Sequence, residues 1–141
     1  MQHTNDNRRH TIVLKRGEEL ITTLTAFCEQ AGIKNAVFQG IGAVERVQIG
    51  YYDLGKKEYF FRNEDGVFEV ASMQGNVALV DGKPFIHAHA VLSRADESCA
   101  CIGGHIKEAY VAVTLEVFLI ALDLSVERKL DDTIGLKLLS V

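Results

Sequence analysis

At 141 residues with 48% apolar content, the chain has the length of one domain and ample material for a core, which excludes a disordered or collagen-like polymer. Its longest uninterrupted apolar run, Val117 to Leu122, is far short of the roughly 18 residues a membrane-spanning helix needs, and the polar start Met1 to Arg9 lacks the apolar stretch of a secretion signal, so a cytoplasmic location with no membrane contact is expected. With 15 Lys+Arg against 19 Asp+Glu the net charge is −4, and bulk electrostatics argues against nucleic acid as a partner.

Arg8, Arg9, Lys15 and Arg16 are the only basic concentration, offset by Asp6, Glu18 and Glu19, and read as part of a solvated, frayed end. Residues 1–8 are therefore expected to be a flexible N-terminus and 9–141 the folded domain. Thr11 to Leu14 is β-branched and apolar, a short strand. Leu20, Ile21, Leu24, Phe27, Cys28 and Ala31 recur at the helical period behind an acidic first turn, which predicts one amphipathic helix over 17–31, stopped by Gly32. Strands follow at 35–39, through Val44 to Tyr51 with a break at Glu45-Arg46, and at 57–62, 67–73 and 76–80, with a turn at Asp53-Leu54-Gly55. Asp81-Gly82 predicts a two-residue hairpin leading into Pro84 and the strand 85–92. Val111, Val113, Leu115, Val117 and Leu119 mark a long central strand, 109–122, and Thr133 to Val141 an edge strand. The resulting fold class is α+β: a single, sandwich-like domain with a mostly antiparallel sheet covered by one main helix.

Within the strand 85–92, His87 and His89 project from one face, about 7 Å apart at their Cα atoms, a bite that one metal ion can bridge. Gly103-Gly104-His105 supplies a third imidazole, and the glycines, Gly104 among them, allow close backbone approach. Three neutral imidazoles around Zn²⁺ leave an open coordination position for a small-molecule ligand; Cu²⁺ and Ni²⁺ suit the same donors. The alternative is that these are core histidines satisfied by the backbone. A cupin also uses a strand His-x-His, but continues with a carboxylate where Ala90-Val91-Leu92-Ser93-Arg94 stands here. Cys99-Ala100-Cys101 with His105 forms a rival structural zinc site, and the thiols of this three-cysteine chain otherwise behave as free residues. Glu116, with Thr114 beside it, is a candidate to orient a ligand histidine from behind, or else a member of a rim ion pair.

The blocks Gly40-Ile41-Gly42-Ala43-Val44, Gly50-Tyr51-Tyr52-Asp53, Phe68-Glu69-Val70, Gly75-Asn76-Val77-Ala78, Asp81 to His89, Gly103-Gly104-His105 and Val113-Thr114-Leu115-Glu116-Val117 resemble the PPC domain, the plant-and-prokaryote conserved domain, from about Arg9 to Leu124. The resemblance implies a compact domain around an antiparallel sheet, a homotrimer, and a metal, usually zinc, on the three histidines. In plant nuclear proteins the domain follows a DNA-binding AT-hook, and prokaryotic members often carry a DNA-binding label by association. This chain has no Arg-Gly-Arg-Pro hook, and it has Val67 where plant members carry Arg.

Three functions follow as expectations: a metal-binding homotrimeric domain, a DNA-binding or transcription-associated protein by family analogy, and a metal-dependent hydrolase of small esters, amides or phosphates with Glu116 or Glu108 as proton acceptor and no catalytic residue assigned. Independently of the resemblance, one helix of about 15 residues, roughly 22 Å long, shields only part of a seven- or eight-stranded sheet. The uncovered strands predict an oligomer, unless the sheet curls into a barrel and covers itself.

Overall fold

The computed structural model describes residues 1–141. Eight strands and one helix follow in the order β1 (Gln2–Asp6), β2 (Arg9–Lys15), α1 (Leu20–Ala31), β3 (Ala36–Asp53), β4 (Glu58–Val80), β5 (Lys83–Arg94), β6 (Cys101–Ala121), β7 (Glu127–Asp131) and β8 (Leu136–Ser140). The sheet is antiparallel except for one parallel pairing, Leu79 with Glu127. The helix begins at Leu20, three residues later than the periodicity suggests, because the Glu19 carboxylate caps the backbone N–H groups of Ile21 and Thr22.

One expectation is corrected. The first residues do not fray: Gln2–Asp6 pairs residue by residue with Val13–Arg9, His3 meets His10 through a ring-nitrogen hydrogen bond of 3.1 Å, and both rings pack on Phe27. Polar side chains on an exposed edge strand cost nothing, since only the backbone ladder is needed there. The sheet is mostly antiparallel with a single helix, as expected, and it curls back on itself, the alternative the sequence left open. The order β1-β2-β6-β3-β4-β7-β8 is closed by β5, which pairs with both β4 and β6, so β3, β4, β5 and β6 form a circuit. Such curling needs local kinks. They occur as bulges in β3 at Gly40/Gly42 and Glu45/Val47, the latter with Arg46 at φ 49°, where the sequence suggested a break. The three segments expected between 57 and 80 are one 23-residue strand.

The Asp81-Gly82 turn has positive φ at both residues, 50° and 79°, as a type I′ turn requires. It therefore sets the β4–β5 register, in which Asn76 faces His87 and Gln74 faces His89.

Inside the circuit Ile86, Ala88, Ala90 and Leu92 of β5 join Leu115, Val117 and Leu119 of β6 and Leu24, Phe27 and Cys28 of α1 in one continuous core. The opposite face carries Val37, Ile41, Phe118 and Ile120, exposed by 44, 54, 43 and 47%. No helix is long and apolar enough to cross a membrane.

Candidate metal centre

Strand alternation decides where the histidines go. With Ile86, Ala88 and Ala90 turned into the core, His87 and His89 must stand on the outer face of β5. His105 lies on β6, not in a loop after its glycines, and is the direct cross-strand partner of His89. Directly opposed residues share a face, so the three rings converge, with centroids 5.0 Å apart for His87–His89, 5.0 Å for His87–His105 and 5.3 Å for His89–His105. Their ligand nitrogens all lie within 4.8 Å of one another, and Nε2 of His87 is 3.2 Å from Nε2 of His89.

Gly104 makes the convergence possible. Cβ on residue 104 would lie 2.5 Å from the carbonyl oxygen of Gly50, so only glycine lets β6 come this close to β3 beside His105. Electrostatics favours the ligand form of the rings. Burial, reinforced by Arg128 and by the other two imidazoles, pushes His87 down to about 4; burial, then His89 and Arg128, does the same to His105. Both are neutral at physiological pH and present lone pairs. None of the three imidazoles bonds to backbone, which removes the reading of satisfied core histidines.

Other expected neighbours are elsewhere. Thr114 and Glu116 lie nine and eleven residues along β6 from His105, roughly 30 and 36 Å of chain at strand rise. Thr114 hydrogen-bonds the Leu14 carbonyl, and Glu116 is registered with Val13 and Ile41, so neither touches a histidine. The reason is that β6 changes partner along its length, from β5 at the histidine end to β2 at the other. Glu108 is bonded to the Tyr110 hydroxyl at 2.6 Å. Cys99 and Cys101 are exposed and free, and Cys101 pairs with Ser93, away from the imidazole cluster.

Four residues complete the surroundings without any sequence signal having singled them out. The Arg128 Nη2 donates to Nδ1 of His87 at 3.1 Å and to Oδ1 of Asn76 at 2.8 Å. The Tyr59 ring lies 4.9 Å and the Phe61 ring 5.9 Å from His105. Asn76 is implied by counting back from the Asp81-Gly82 turn to the residue opposite His87. Arg128 comes from a short C-terminal strand whose docking nothing in the local sequence announces.

The site borders the uncovered apolar face. Register rows run Ile120, Val37, Asn76, His87 and Phe118, Gln39, Gln74, His89 across β6, β3, β4 and β5, so histidines and apolar residues share one surface.

A chain that folds this way has solved relatives. A plant- and prokaryote-conserved protein from Pyrococcus horikoshii is 36% identical, with 99% of this chain and 95% of that one covered at a TM-score of 0.87. A metal-containing protein from Archaeoglobus fulgidus is 37% identical over 93% of this chain and 91% of its own, at 0.86. A protein from Ralstonia eutropha whose name assigns it provisionally to DNA binding is 26% identical over 99% and 95%, at 0.89. No curated protein matches the sequence. The model of the Plants and Prokaryotes Conserved domain matches residues 1–123, and with the shared fold and the histidine blocks in place the chain belongs to that family.

Proposed function

We propose that this chain is a cytoplasmic, homotrimeric metal-binding protein in which His87, His89 and His105 hold one divalent transition metal, zinc by preference, with an open position for a small-molecule ligand. The observation that carries the reading is the convergence of three imidazole donors within 4.8 Å on one pair of neighbouring strands. Three imidazoles without a thiolate or carboxylate are the donor set of open rather than closed zinc sites. The resemblance to a metal-containing relative at 37% identity agrees with it. When bound, the ion supplies Lewis acidity at its open position. The protein's own share is to hold the donors. Gly104 sets the spacing of β6 against β3, the His89–His105 register fixes one edge, and Tyr59 and Phe61 wall the His105 side.

Assembly follows from the uncovered face. Val37, Ile41, Phe118 and Ile120 form a contiguous apolar surface on the strands that also carry the site, and a second copy of the chain buries such a surface with closed symmetry. The number three comes from the family. DNA binding does not follow: Arg8 and Arg9 of the basic N-terminus are already paired with Asp123 and Asp6, and the net charge is −4.

Competition of the metal-free protein against a chromophoric zinc chelator tests the site, and sedimentation equilibrium tests the assembly. One zinc per chain and a mass three times 15.6 kDa are expected. Zinc taken up by surface residues alone, or a single-chain mass at micromolar concentration, contradicts the respective half.

A further inference from the structure

A buried or half-buried charge needs a counter-charge, and Arg128 has none. It is absent from every ion pair of the structure. Its guanidinium is nonetheless fixed: Nη2 donates to Asn76 Oδ1 at 2.8 Å, Nη1 to the Lys137 carbonyl at 3.4 Å, and the plane lies over Phe85 at 5.5 Å. Its Nε is removed from solvent and has no hydrogen-bond partner. A cation immobilised against His87, one of three imidazoles that would gather another cation, opposes their function unless something negative joins them.

The hydrogen bonds of His87 sharpen the point. Nε2 faces His89, so a metal would be taken there, and Nδ1 would then carry the ring proton. Nδ1 now accepts from Arg128 Nη2. A ring N–H and a guanidinium N–H cannot satisfy each other. Metal loading therefore frees one Nη2–H of an arginine still anchored by Asn76 and Lys137, and leaves two positive charges with no carboxylate among their partners.

Resting on the three-histidine reading above, we propose that Arg128 is the oxyanion-binding residue of this centre: a small carboxylate or phosphate occupies the open position with one oxygen and accepts from Arg128 with another. Arginine suits this because its planar fork matches both anions. Arg128 lies on β7, beyond the residues matched by the family model, so the C-terminal hairpin β7–β8 brings the anion specificity to the site.

The test loads wild-type and Arg128→Gln protein with Co²⁺, confirms one ion per chain, and titrates each with oxalate and, separately, inorganic phosphate. The cobalt absorption bands and calorimetry give the affinity. Wild type binds at least one of the two saturably, the tighter one identifying the anion class, and Arg128→Gln retains cobalt but weakens the anion by about 30-fold, the scale of a lost charge-assisted hydrogen bond. Arg128→Lys, which keeps the charge without the fork, falls in between and stands in if the glutamine variant does not fold. Equal anion affinity in wild type and variant, or no binding of either anion by the cobalt-loaded wild type, overturns the proposal. Failure of wild type to take up cobalt overturns the three-histidine reading itself.

Discussion

Adjacent glycines before His105 face different surroundings, and this gives a sharp contrast between two single-methyl substitutions. Cβ on Gly103 would meet Ala90 O at 3.4 Å, an ordinary contact, whereas Cβ on Gly104 would lie 2.5 Å from Gly50 O. That oxygen belongs to the backbone of β3, where Gly50 is itself the partner of His105, so no side chain can swing away to make room. Strand β6 would have to retreat by about 0.9 Å, and overpacking of this kind costs about 1–3 kcal/mol. At about 4 °C per kcal/mol for a domain of this size, Gly104→Ala lowers Tm by roughly 4–12 °C, and Gly103→Ala by no more than about 2 °C. Because β6 lies here between β3 and β5, the retreat presses His105 against its partner His89 and spoils the donor spacing, so the 104 variant also loses about tenfold in zinc affinity, read by competition with a chelator. The assay is differential scanning calorimetry of the metal-free proteins beside that titration. Equal behaviour of the two variants would refute the steric argument.

The remaining predictions concern protons and assembly. His87 and His105 have folded pKa values of about 4, below the ordinary 6.5, so the unfolded chain binds protons that the folded chain refuses. Stability of the metal-free protein is thus full above pH 6.5 and is lost as pH falls toward 4, by about 1–2 kcal/mol per ring after solvent screening. Urea midpoints from pH 7.5 to 4 check this, and a His87→Asn, His105→Asn variant with the same slope as wild type would contradict it. Phe118→Glu places a charge in the middle of the exposed apolar face; sedimentation equilibrium is expected to show dissociation to single chains with an unchanged circular dichroism spectrum, whereas an undisturbed oligomer would remove this face from the interface.

Local rules served well wherever the determining contact lies nearby in sequence. The Asp81-Gly82 dipeptide specifies its turn and hence the pairing of β4 with β5, and alternation along β5 puts His87 and His89 on one face. The apolar stripe of α1 required only its own residues. What escaped were features set by distant pairing. The closure of the sheet by β5 depends on bulges in β3 that relocate whole strands. Glu116 looked like a candidate to orient a ligand histidine because it is a carboxylate in an apolar strand, but β6 exchanges β5 for β2 between His105 and Glu116. Gln2–Asp6 has no strand composition of its own and is ordered by the ladder that β2 offers. Arg128 reaches His87 through a single parallel bridge between β7 and β4, a contact no local pattern encodes.

The central claim is that three imidazoles on two neighbouring strands hold a metal. Elemental analysis of protein purified without added metal, alongside the His87→Ala, His89→Ala double variant, addresses it most directly. About one transition-metal ion per chain in the wild type and none in the folded double variant is the expected result. Wild type without stoichiometric metal, or a double variant that keeps it, would contradict the account.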